Sequence, residues 1–598
     1  MTLPPLRHLL PGLLAALPLA ATTAWAQDTR PQAPQQQPVQ SQDVQPEGAS
    51  GRTEKKTVTA ERFMVAAANP HAVEAGYNVL TAGGNAVDAM VAVQLMLNLT
   101  EPQSSGIGGG AFLLYWDAGQ RQLLTFDSRE TAPAAATPDY WLNEAGEPMD
   151  FWEALVGGRS VGVPGTLKLL EVTHNLYGSM PWPALLQPVI EMAEQGFEIS
   201  PRLAGAIADA QQRELDKYPV TRDYFFNGDG TPKAAGTTLS NPEFADTLRL
   251  IAEAGSAPFY RGAIAEEIVA AVTNTADNPG IMTLQDLADY QVKLRAPVCT
   301  PYRAYQVCGM GPPTSGGLTV GQILGVLEHF DILGLGLGPE SVHLYLEAAK
   351  LAYADRAMYM ADSDFVRMPL RGLLDPTYLT VRAQQVARDR AMAQAEAGNP
   401  PWRAAQVFAP DRSPERPGTS HFVIVDAEGN AVSMTTTIET GFGSRLMVRG
   451  FLLNNELTDF SFAPEEDGRP VANRVEGGKR PRSSMSPTMV FQNDAPMLLI
   501  GSPGGSRIIN YVAKSIVAIL DWDMDIQQAI GLGHFVNRNG ATDLEEGTDI
   551  VDLQAPLEAL GHEINVRDLN SGLHGILIRD GQLHGGADPR REGIVMGE

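Results

Sequence analysis

The chain has 598 residues, of which 44% are hydrophobic and 19% charged, a globular composition that excludes collagen, coiled coil and complete disorder. Lys and Arg total 44 against 70 Asp and Glu, a formal net charge of −26, which argues against a nucleic acid or an anionic membrane as partner. Two Cys residues are too few for a disulfide framework or a four-thiolate zinc site. The fold is therefore expected to depend on packing, and the substrate to be small.

The first 26 residues have the pattern of an export signal. Arg7 precedes an apolar Leu and Ala run, and Ala24-Trp25-Ala26 is a small-x-small peptidase site, so cleavage is predicted after Ala26. A transmembrane anchor is the alternative, but the run contains two Pro residues and is shorter than the roughly 20 apolar residues of a span. The expectation is a periplasmic or secreted protein with no membrane span in its mature form.

Residues 27–56 begin with a Gln- and Pro-rich stretch of little apolar content and are predicted to be a disordered tether. The folded body is expected from residue 57. Residues 69–99 follow a helical pattern that Gly83-Gly84 divides into two helices, and a Gly-rich turn at 105–110 leads into the strand AFLLYW. Because this turn follows a helix and opens a strand, it does not fit the dinucleotide-binding fingerprint, which needs the reverse order.

The middle of the chain, residues 160–400, is predicted to be mostly helical. Cys299 and Cys308 lie in VCTPYRAYQVC, a pattern of two short strands around a turn. They are a candidate disulfide pair in an exported protein, and two unpaired thiols are the alternative. Residues 385–417 are polar and Pro-rich and are predicted to form an exposed loop.

Several common catalytic motifs are absent from the sequence. The ten His residues form neither an HExxH nor an HxxxH pair, so a helical zinc site has no support. Neither a GxSxG elbow nor a Walker A phosphate loop occurs, which removes the usual signals of an α/β-hydrolase and a P-loop NTPase. The sequence predicts no metal and no cofactor.

Thr419 lies in GTSH, at the junction between the Pro-rich loop and a strand-like segment. Thr is a weak nucleophile unless a base lies beside it, and a cut before Thr419 would supply its α-amine, with a pKa of roughly 7.7–8.0. If residues 427–429 form a three-residue hairpin loop, Thr437 faces Thr419 with Cβ atoms about 4.5–5.5 Å apart. The Thr437 hydroxyl would then be in place to orient the nucleophile.

Motifs along most of the chain resemble those of one family. Three segments in the last third of the chain resemble the small subunit of the gamma-glutamyltranspeptidases, which are N-terminal-nucleophile hydrolases. They are the stretch from Gly418 to Phe462, KRPRSSMSP at 479–487 and GSPGGSRI at 501–508. Six earlier motifs resemble the family's large subunit and occur in the family's order. They are GGNAVDAMVAV, SSGIGGGAF, FDSRETAP, SVGVPGT, PPTSGG and EAAKLAYADR. The resemblance implies an α+β fold, a four-layer αββα sandwich of two mostly antiparallel sheets between helical layers.

Members of this family are made as inactive precursors that cut themselves. The resemblance implies cleavage between Gly418 and Thr419, giving a large subunit (57–418 after the tether) and a small catalytic subunit (419–598) in one joint core. Thr419 would act as nucleophile, with its own amine as general base. It would form a gamma-glutamyl ester that water or an acceptor amine resolves.

The resemblance also implies roles for residues around Thr419. Thr437 matches the family's helper threonine, and Gly504 and Gly505 match the pair whose N–H groups stabilise the tetrahedral oxyanion. A zwitterionic substrate needs cationic and hydroxyl donors for its α-carboxylate and carboxylates for its α-ammonium. We call the family residues that hold the two charged groups the clamp. In this sequence they are matched by Arg129, Ser483 and Ser484 for the α-carboxylate and by Glu456 and Asp459 for the α-ammonium.

Two departures from the family pattern concern the substrate. Glu439 stands where many members have an asparagine near the substrate, which adds negative charge beside the ammonium site. Only 17 residues, 462–478, lie between the DFS motif and Lys479, fewer than in members with a lid over the glutamyl pocket, and no lid tyrosine is matched. An open pocket admits water and bulkier substrates, which favours hydrolysis over transfer.

The expected function is a self-processing gamma-glutamyl hydrolase or transferase that acts on glutathione and related compounds, with water, amino acids or peptides as acceptors. Alternatives of the same fold are a glutaryl or cephalosporin acylase and a poly-gamma-glutamate depolymerase. Glu456 and Asp459 argue against a glutaryl group, which has no ammonium to neutralise them. The alternative from another class is a periplasmic binding protein that kept the fold without processing.

Overall fold

Two antiparallel seven-stranded sheets form the centre of the computed structural model, which describes residues 50–402, 407–413 and 415–598. The strands are β1 (Val58–Ala60), β2 (Met64–Ala67), β3 (Gly110–Asp117), β4 (Gln122–Asp127), β5 (Phe197–Glu198), β6 (Thr238–Leu239), β7 (Lys293–Arg295), β8 (Val298–Tyr302), β9 (Tyr305–Gly309), β10 (Thr419–Val425), β11 (Ala431–Thr437), β12 (Met447–Val448), β13 (Phe451–Leu452), β14 (Glu465–Glu466), β15 (Arg469–Pro470), β16 (Thr488–Gln492), β17 (Ala495–Gly501), β18 (Phe535–Asn537), β19 (Thr542–Glu545), β20 (Ile564–Arg567), β21 (His574–Arg579), β22 (Gln582–Ala587) and β23 (Ile594–Gly597).

The α-helices are concentrated before residue 400, as predicted, and make up just over half of residues 160–400. The α-helices are α1 (Pro70–Thr81), α2 (Ala86–Thr100), α3 (Phe151–Leu155), α4 (Thr166–Tyr177), α5 (Trp182–Gln195), α6 (Pro201–Gln211), α7 (Pro219–Phe225), α8 (Pro242–Ala254), α9 (Ala257–Arg261), α10 (Ala263–Thr273), α11 (Leu284–Asp289), α12 (Gly316–Leu327), α13 (Ile332–Leu335), α14 (Pro339–Tyr359), α15 (Leu370–Leu373), α16 (Pro376–Ala383), α17 (Ile508–Leu520), α18 (Ile526–Gly531) and α19 (Gln554–Ala559).

Both sheets combine strands from before and after residue 419. The first sheet has the order β1-β22-β21-β17-β16-β9-β8, and the second has the order β23-β2-β10-β11-β3-β4-β7. Each neighbouring pair in both sheets is antiparallel. The backbone hydrogen bonds of these ladders would therefore keep the two parts of the chain together if the bond before residue 419 were cut.

Side chains of the second sheet alternate between two hydrophobic cores. On β3, Leu113 and Tyr115 pack with the core that includes α1, α2, α4 and α5. Leu114 and Trp116 pack with the core between the two sheets, which continues to α12, α14 and α17. Because both faces are buried, the strand reads as one apolar run rather than an alternating pattern. The helices, sheets and helices form four layers, so the predicted αββα sandwich is confirmed.

The first two helices begin and end where the sequence predicted. The Asn69 side chain caps α1 by accepting from the backbone N–H of His71, and Asn85 forms a capping box with Asp88 at the start of α2. Between the helices Gly83 has a φ of +89°, a left-handed conformation that favours glycine. The break at Gly83-Gly84 is confirmed.

The predicted tether ends earlier than residue 56. The Lys55 ammonium donates to the backbone carbonyls of Asp588, Arg591 and Gly593, and the Arg52 guanidinium pairs with Glu545 at 2.9 Å. The segment 50–56 is therefore held against the folded body by charged hydrogen bonds, which composition does not reveal. Residues 27–49 of the tether and the predicted signal lie outside the described residues.

Of two predictions for the middle of the chain, the structure confirms the disulfide bond and contradicts part of the exposed loop. Cys299 and Cys308 face each other across β8 and β9 and are joined by a disulfide bond. The prediction of an exposed loop at 385–417 is wrong for the end of this segment, close to Thr419, where Asp411 and Glu415 are buried. Their carboxylates form ion pairs with buried guanidinium groups, so the polar composition reflects buried pairs and not exposure. Among the described residues, no helix combines the length and apolar character required to cross a membrane.

The Gly-rich turn before β3 packs against the end of β11. A Cβ on Gly109 would lie 2.0 Å from the carbonyl oxygen of Thr437, whereas a Cβ on Gly205, in α6, would meet nothing within 4 Å. We expect Gly109→Ala to lower the free energy of unfolding by about 1–3 kcal/mol, because the backbone must shift to relieve the overlap. Gly205→Ala is the matched control and is expected to be neutral or slightly stabilising. Urea denaturation of both variants in a Thr419→Ala chain, which is expected to stay uncut, tests this, and equal midpoints would contradict the close approach.

Candidate active site

Thr419 is the first residue of β10 and is only 4% exposed. It is the cross-strand partner of Thr437 on β11, so the pairing predicted from the hairpin loop is confirmed. Strand alternation puts the Thr419 side chain on the same face as Val423 and Val425, which belong to the core between the sheets. The hydroxyl that the sequence singled out therefore lies at one end of the inter-sheet space.

The bond between Gly418 and Thr419 is intact in this structure, and its carbonyl is held by a hydroxyl. Thr437 Oγ1 donates to the Gly418 carbonyl oxygen at 2.7 Å and accepts from the Glu439 backbone N–H at 2.7 Å. A Cβ on Gly418 would lie 1.9 Å from the Glu439 carbonyl oxygen, so the fit requires glycine at this position. The Thr437 hydroxyl thus polarises the carbonyl immediately before the candidate nucleophile.

Gly504 and Gly505 lie in the loop after β17, where a short 3-10 helix leads into α17. Both have left-handed φ angles, +135° and +57°. A Cβ on Gly504 would lie 2.7 Å from the ring of Tyr511, and one on Gly505 would lie 2.8 Å from the Arg416 carbonyl oxygen. Gly505 and the first residue of α17 line a cavity with Thr419, so the positive end of a helix dipole is close to the hydroxyl.

The two sides of the predicted clamp are paired with each other in the uncut chain. Arg129 follows β4 and is fully buried, and its guanidinium forms ion pairs with Glu456 and Asp459. It also donates from Nε to the Pro481 carbonyl at 3.2 Å and from Nη2 to the Arg482 carbonyl at 3.0 Å. Backbone groups therefore fix the orientation of the guanidinium, while the two acids neutralise its charge.

The two serines of the clamp have different contacts. Ser483 Oγ accepts from the Met485 backbone N–H at 3.1 Å. Ser484 Oγ accepts from Arg356 Nη2 at 2.7 Å and donates to a carboxylate oxygen of Glu415 at 2.5 Å. Neither Arg356 nor Glu415 was predicted as a site residue. The EAAKLAYADR motif contains Arg356 but does not indicate what its side chain contacts.

Glu439 lies in a cluster of buried acids. The carboxylate oxygens of Glu439, Glu456 and Asp459 come within 4.8 Å of one another. Burial and the neighbouring Asp459 carboxylate raise the pKa of Glu439 well above its usual value, and burial raises the pKa of Asp459 to about 6. Two like charges this close in a buried site disfavour joint ionisation. Burial beside Asp459 therefore favours the protonated form of Glu439 over its carboxylate in the uncut chain.

Most of the predicted site residues share one small cavity of about 10 Å³, room for about one water molecule. Its lining includes the predicted residues Arg129, Thr419, Thr437, Glu439, Asp459, Ser483, Ser484 and Gly505. Glu456 lies behind Arg129 as its ion-pair partner, and Gly504 precedes Gly505 in the chain. The sequence-based set is thus brought together, but the residues before Thr419 leave no room for a substrate.

A much larger cavity of about 1170 Å³ adjoins this site. The two cavities share Arg416, and the larger one is also lined by Pro417, Thr440 and Gly441. Arg213 and Arg445 line it as well, and Lys217 and Asp277 lie at its wall. It is a polar, water-accessible approach to the residues on both sides of the candidate nucleophile.

A model of the gamma-glutamyltranspeptidase family matches residues 72–598. The chain belongs to this family. It is 39% identical over 547 residues to the glutathione hydrolase proenzyme of Bacillus subtilis (strain 168), covering 89% of this chain and 91% of that protein. It is 34% identical over 562 residues to the acylase ACY 1 proenzyme of Pseudomonas sp. (strain V22), covering 92% and 96%. The crystal structure of a cephalosporin acylase from Bacillus halodurans matches with a TM-score of 0.80 at 27% identity, covering 92% and 98%.

Glu439 adds less negative charge to the site than the sequence suggests. The family resemblance predicts a neutral asparagine at this position, and Glu439 carries no charge while it holds its proton. It has a φ of +76°, a left-handed conformation in which asparagine is also frequent. A protonated glutamate and an amide both offer one donor and one acceptor oxygen at this point.

Exchange of Glu439 for glutamine tests the proton on this side chain. In the uncut Thr419→Ala background, we expect Glu439→Gln to stabilise the chain increasingly as the pH rises above about 4.5, by up to about 1.4 kcal/mol per pH unit. The reason is that the pKa of Glu439 is higher in the folded than in the unfolded chain. Its proton therefore stabilises the parent chain fully below the unfolded-state pKa, and this stabilisation is lost as the pH rises towards the folded-state pKa. Glutamine does not titrate and loses nothing. Urea denaturation between about pH 5 and 7 measures the difference.

The control for this experiment is Glu428→Gln. Glu428 is exposed in the turn between β10 and β11, so the control makes the same chemical exchange at a solvated carboxylate without changing the buried cluster. If the stability difference between the Glu439→Gln chain and its parent does not vary with pH, the buried proton is contradicted.

Proposed function

We propose that the chain is a self-processing gamma-glutamyl hydrolase and transferase that cleaves glutathione and other gamma-glutamyl compounds. The observation that carries the proposal is the hydrogen bond from Thr437 to the Gly418 carbonyl, directly before the Thr419 hydroxyl. It places an activated carbonyl, a nucleophile and a donor in one buried site. The matched family and the relatives named glutathione hydrolase proenzyme support the same assignment.

Self-cleavage begins with attack of Thr419 Oγ1 on the carbonyl carbon of Gly418. The hydroxyl proton leaves the oxygen, Thr437 stabilises the negative charge that develops on the carbonyl oxygen, and the C–N bond breaks as the Thr419 nitrogen is protonated. The product is an ester between Gly418 and the Thr419 side chain. Water hydrolyses this ester to give a Gly418 carboxylate and a Thr419 with a free hydroxyl and a free α-amine.

The free amine then serves as base in turnover. It accepts the Thr419 hydroxyl proton as the oxygen attacks the γ-carbonyl of the substrate, and the proton passes to the leaving amine. The N–H groups of Gly504 and Gly505 stabilise the oxyanion. The resulting gamma-glutamyl ester is resolved by water or by an amino acid or peptide, and no cofactor takes part in these steps.

The charges of the site favour a substrate with an α-amino acid end. Glu456 and Asp459 are buried and share one guanidinium, Arg129. An α-ammonium would neutralise one of them while the α-carboxylate takes over contacts of Arg129 and of Ser483 and Ser484. A glutaryl group has no such ammonium, so the acylase function named for some relatives is the second candidate.

The proposal extends to the form and place of the mature protein. Residues 57–418 and 419–598 would form a large and a small subunit that remain associated, because both sheets contain hydrogen-bonded strands from each part. Hydrolysis is favoured over transfer, since the 17 residues at 462–478 match no lid tyrosine and the large cavity gives water access to the site. The export signal predicted for residues 1–26 places the enzyme in the periplasm or outside the cell.

The central prediction concerns cleavage at Thr419. The exported wild-type protein is expected to give two chains, the second of which begins at Thr419. The Thr419→Ala variant is expected to give one uncut chain without turnover, because the attacking oxygen is removed. Intact mass spectrometry measures cleavage, and release of aniline from gamma-glutamyl and glutaryl anilides measures activity and substrate class. Ser420→Ala, whose hydroxyl is on the opposite face of β10, is the control and should still be cut.

Three results would count against the proposal. An uncut wild-type chain without turnover would favour the binding-protein alternative. Faster turnover of the glutaryl anilide would favour the acylase. Cleavage of the Thr419→Ala chain at the same bond would show that another residue supplies the nucleophile.

Thr437→Val separates the hydroxyl of Thr437 from its packing. Valine keeps the branched shape but cannot donate to the Gly418 carbonyl, so we expect the rate of self-cleavage to fall by about 10- to 100-fold or more. The rate is followed by mass spectrometry after refolding or in vitro synthesis of the precursor. Thr436→Val, one residue earlier on the other face of β11, is the control. Equal rates for the wild type and Thr437→Val would remove the carbonyl contact from the mechanism.

A further inference from the structure

Glu415, four residues before Thr419, is 7% exposed and lines the cavity that contains the candidate nucleophile. One oxygen accepts from Ser484 Oγ at 2.5 Å, and the other accepts from Arg356 Nη2 at 2.5 Å and from Arg482 Nη2 at 2.9 Å. Three charged or hydroxyl donors thus converge on one carboxylate. One of them, Ser484, is also a residue that the family resemblance assigns to the substrate carboxylate.

The three donors are fixed by parts of the fold on either side of Glu415. Arg356 lies in the last turn of α14, and its Nε donates to Ser315 Oγ at 2.7 Å. Arg482 precedes the serine pair and also pairs with Asp411 at 3.2 Å. Arg482 Nε and Nη1 are buried without a hydrogen-bond partner in the described ranges. The donors are therefore held in place by contacts other than those to Glu415.

The charge of Glu415 depends on these partners. Although burial acts in the opposite direction, Arg356 and Arg482 lower the pKa of Glu415 to about 2, so it is ionised at neutral pH. If Glu415 were withdrawn, the hydrogen bonds of Arg356 in the described residues would go only to two serine hydroxyls. A buried guanidinium without a counter-charge is costly. The pocket thus requires a carboxylate whether or not Glu415 is present.

Glu415 and the residues after it occupy space that a substrate needs. The Gly418 carbonyl is at the position of attack by Thr419, and the Arg416 carbonyl lies against Gly505, where a Cβ would be 2.8 Å away. The cavity that remains has room for about one water molecule. A gamma-glutamyl group can reach Thr419 only when this segment has moved after cleavage, and Glu415 then leaves its donors.

We propose that Arg356, Arg482 and Ser484 form a carboxylate subsite, which Glu415 fills in the uncut chain and the α-carboxylate of the gamma-glutamyl substrate fills in the mature enzyme. The inference rests on the proposed function and adds Arg356 and Arg482 to the residues that select an α-amino acid end. In the precursor the same contact anchors the chain three residues before the scissile carbonyl. Self-cleavage then exchanges one carboxylate for another at constant charge.

Substrate discrimination tests the subsite in the mature enzyme. The probes are gamma-glutamyl anilide and its analogue with an α-carboxamide, and the quantity is the ratio of their kcat/KM values. We expect Arg356→Gln to lower kcat/KM for the carboxylate substrate by about 10- to 100-fold, mainly through KM, and to change that for the carboxamide by less than about threefold. Arg356→Lys should recover part of the ratio, because it restores the charge without the planar guanidinium.

The control is Arg388→Gln. Arg388 is exposed and pairs with Glu340 at 2.9 Å, so its exchange removes one guanidinium far from any buried carboxylate site. Rates are normalised to the cleaved fraction found by intact mass. A wild type that turns over neither anilide would overturn the proposed function itself. A wild type that is active, with a ratio that Arg356→Gln leaves unchanged or with both substrates slowed equally, would overturn the subsite alone.

The precursor gives a second, independent readout. We expect Glu415→Gln to slow self-cleavage by about tenfold, because the neutral amide binds the two guanidinium groups less strongly and holds the scissile carbonyl less firmly. Glu428→Gln, at the exposed turn between β10 and β11, should cleave at the wild-type rate. If Glu415→Gln is soluble and cleaves as fast as the wild type, Glu415 does not anchor the precursor and the proposal fails for the uncut chain.

Discussion

The register of β10 against β11 is the constraint on which the site depends. Side chains alternate faces along a strand, so a shift of β10 by one residue would turn Thr419 away from the inter-sheet space and from Thr437. The buried pattern of both strands prevents that shift, because Phe422 and Val423 belong to different cores. The position of the hydroxyl at Thr419 is therefore set by the packing of apolar residues several positions away and not by contacts of its own.

The site combines an excess of buried acids with a few buried guanidinium groups. Arg129 serves two carboxylates, and Arg356 and Arg482 serve Glu415 together. For the remaining acid, Glu439, burial and the neighbouring Asp459 raise the pKa and so favour the protonated form. This balance explains how the position where the family resemblance predicts an asparagine can hold an acid without a new counter-charge. It also means that the electrostatics of the site belong to the set of residues and not to any single pair.

Sequence reasoning predicted the features that depend on local pattern. The helix break at Gly83-Gly84, the strand after the Gly-rich turn and the pairing of Thr419 with Thr437 follow from turn chemistry and periodicity, and family motifs supplied the four-layer arrangement and the clamp. It failed where distant charges decide the structure. The segment with Asp411 and Glu415 has the composition of an exposed loop, because polar residues that pair inside the fold look like polar residues in water. Arg356 lies 59 positions from Glu415, and neither residue shows this contact in its local sequence.

The mixing of strands from before and after residue 419 in both sheets has a consequence for the lifetime of the mature protein. The precursor would fold as one chain, whereas after the proposed cut neither product would contain a complete sheet. Refolding would then require two chains to meet and to pair β2 and β3 of one chain with β10, β11 and β23 of the other, a concentration-dependent event in competition with aggregation through unpaired strand edges. Cleavage therefore makes unfolding effectively irreversible, and the persistence of the active molecule is governed by how slowly it opens rather than by an equilibrium between folded and unfolded states.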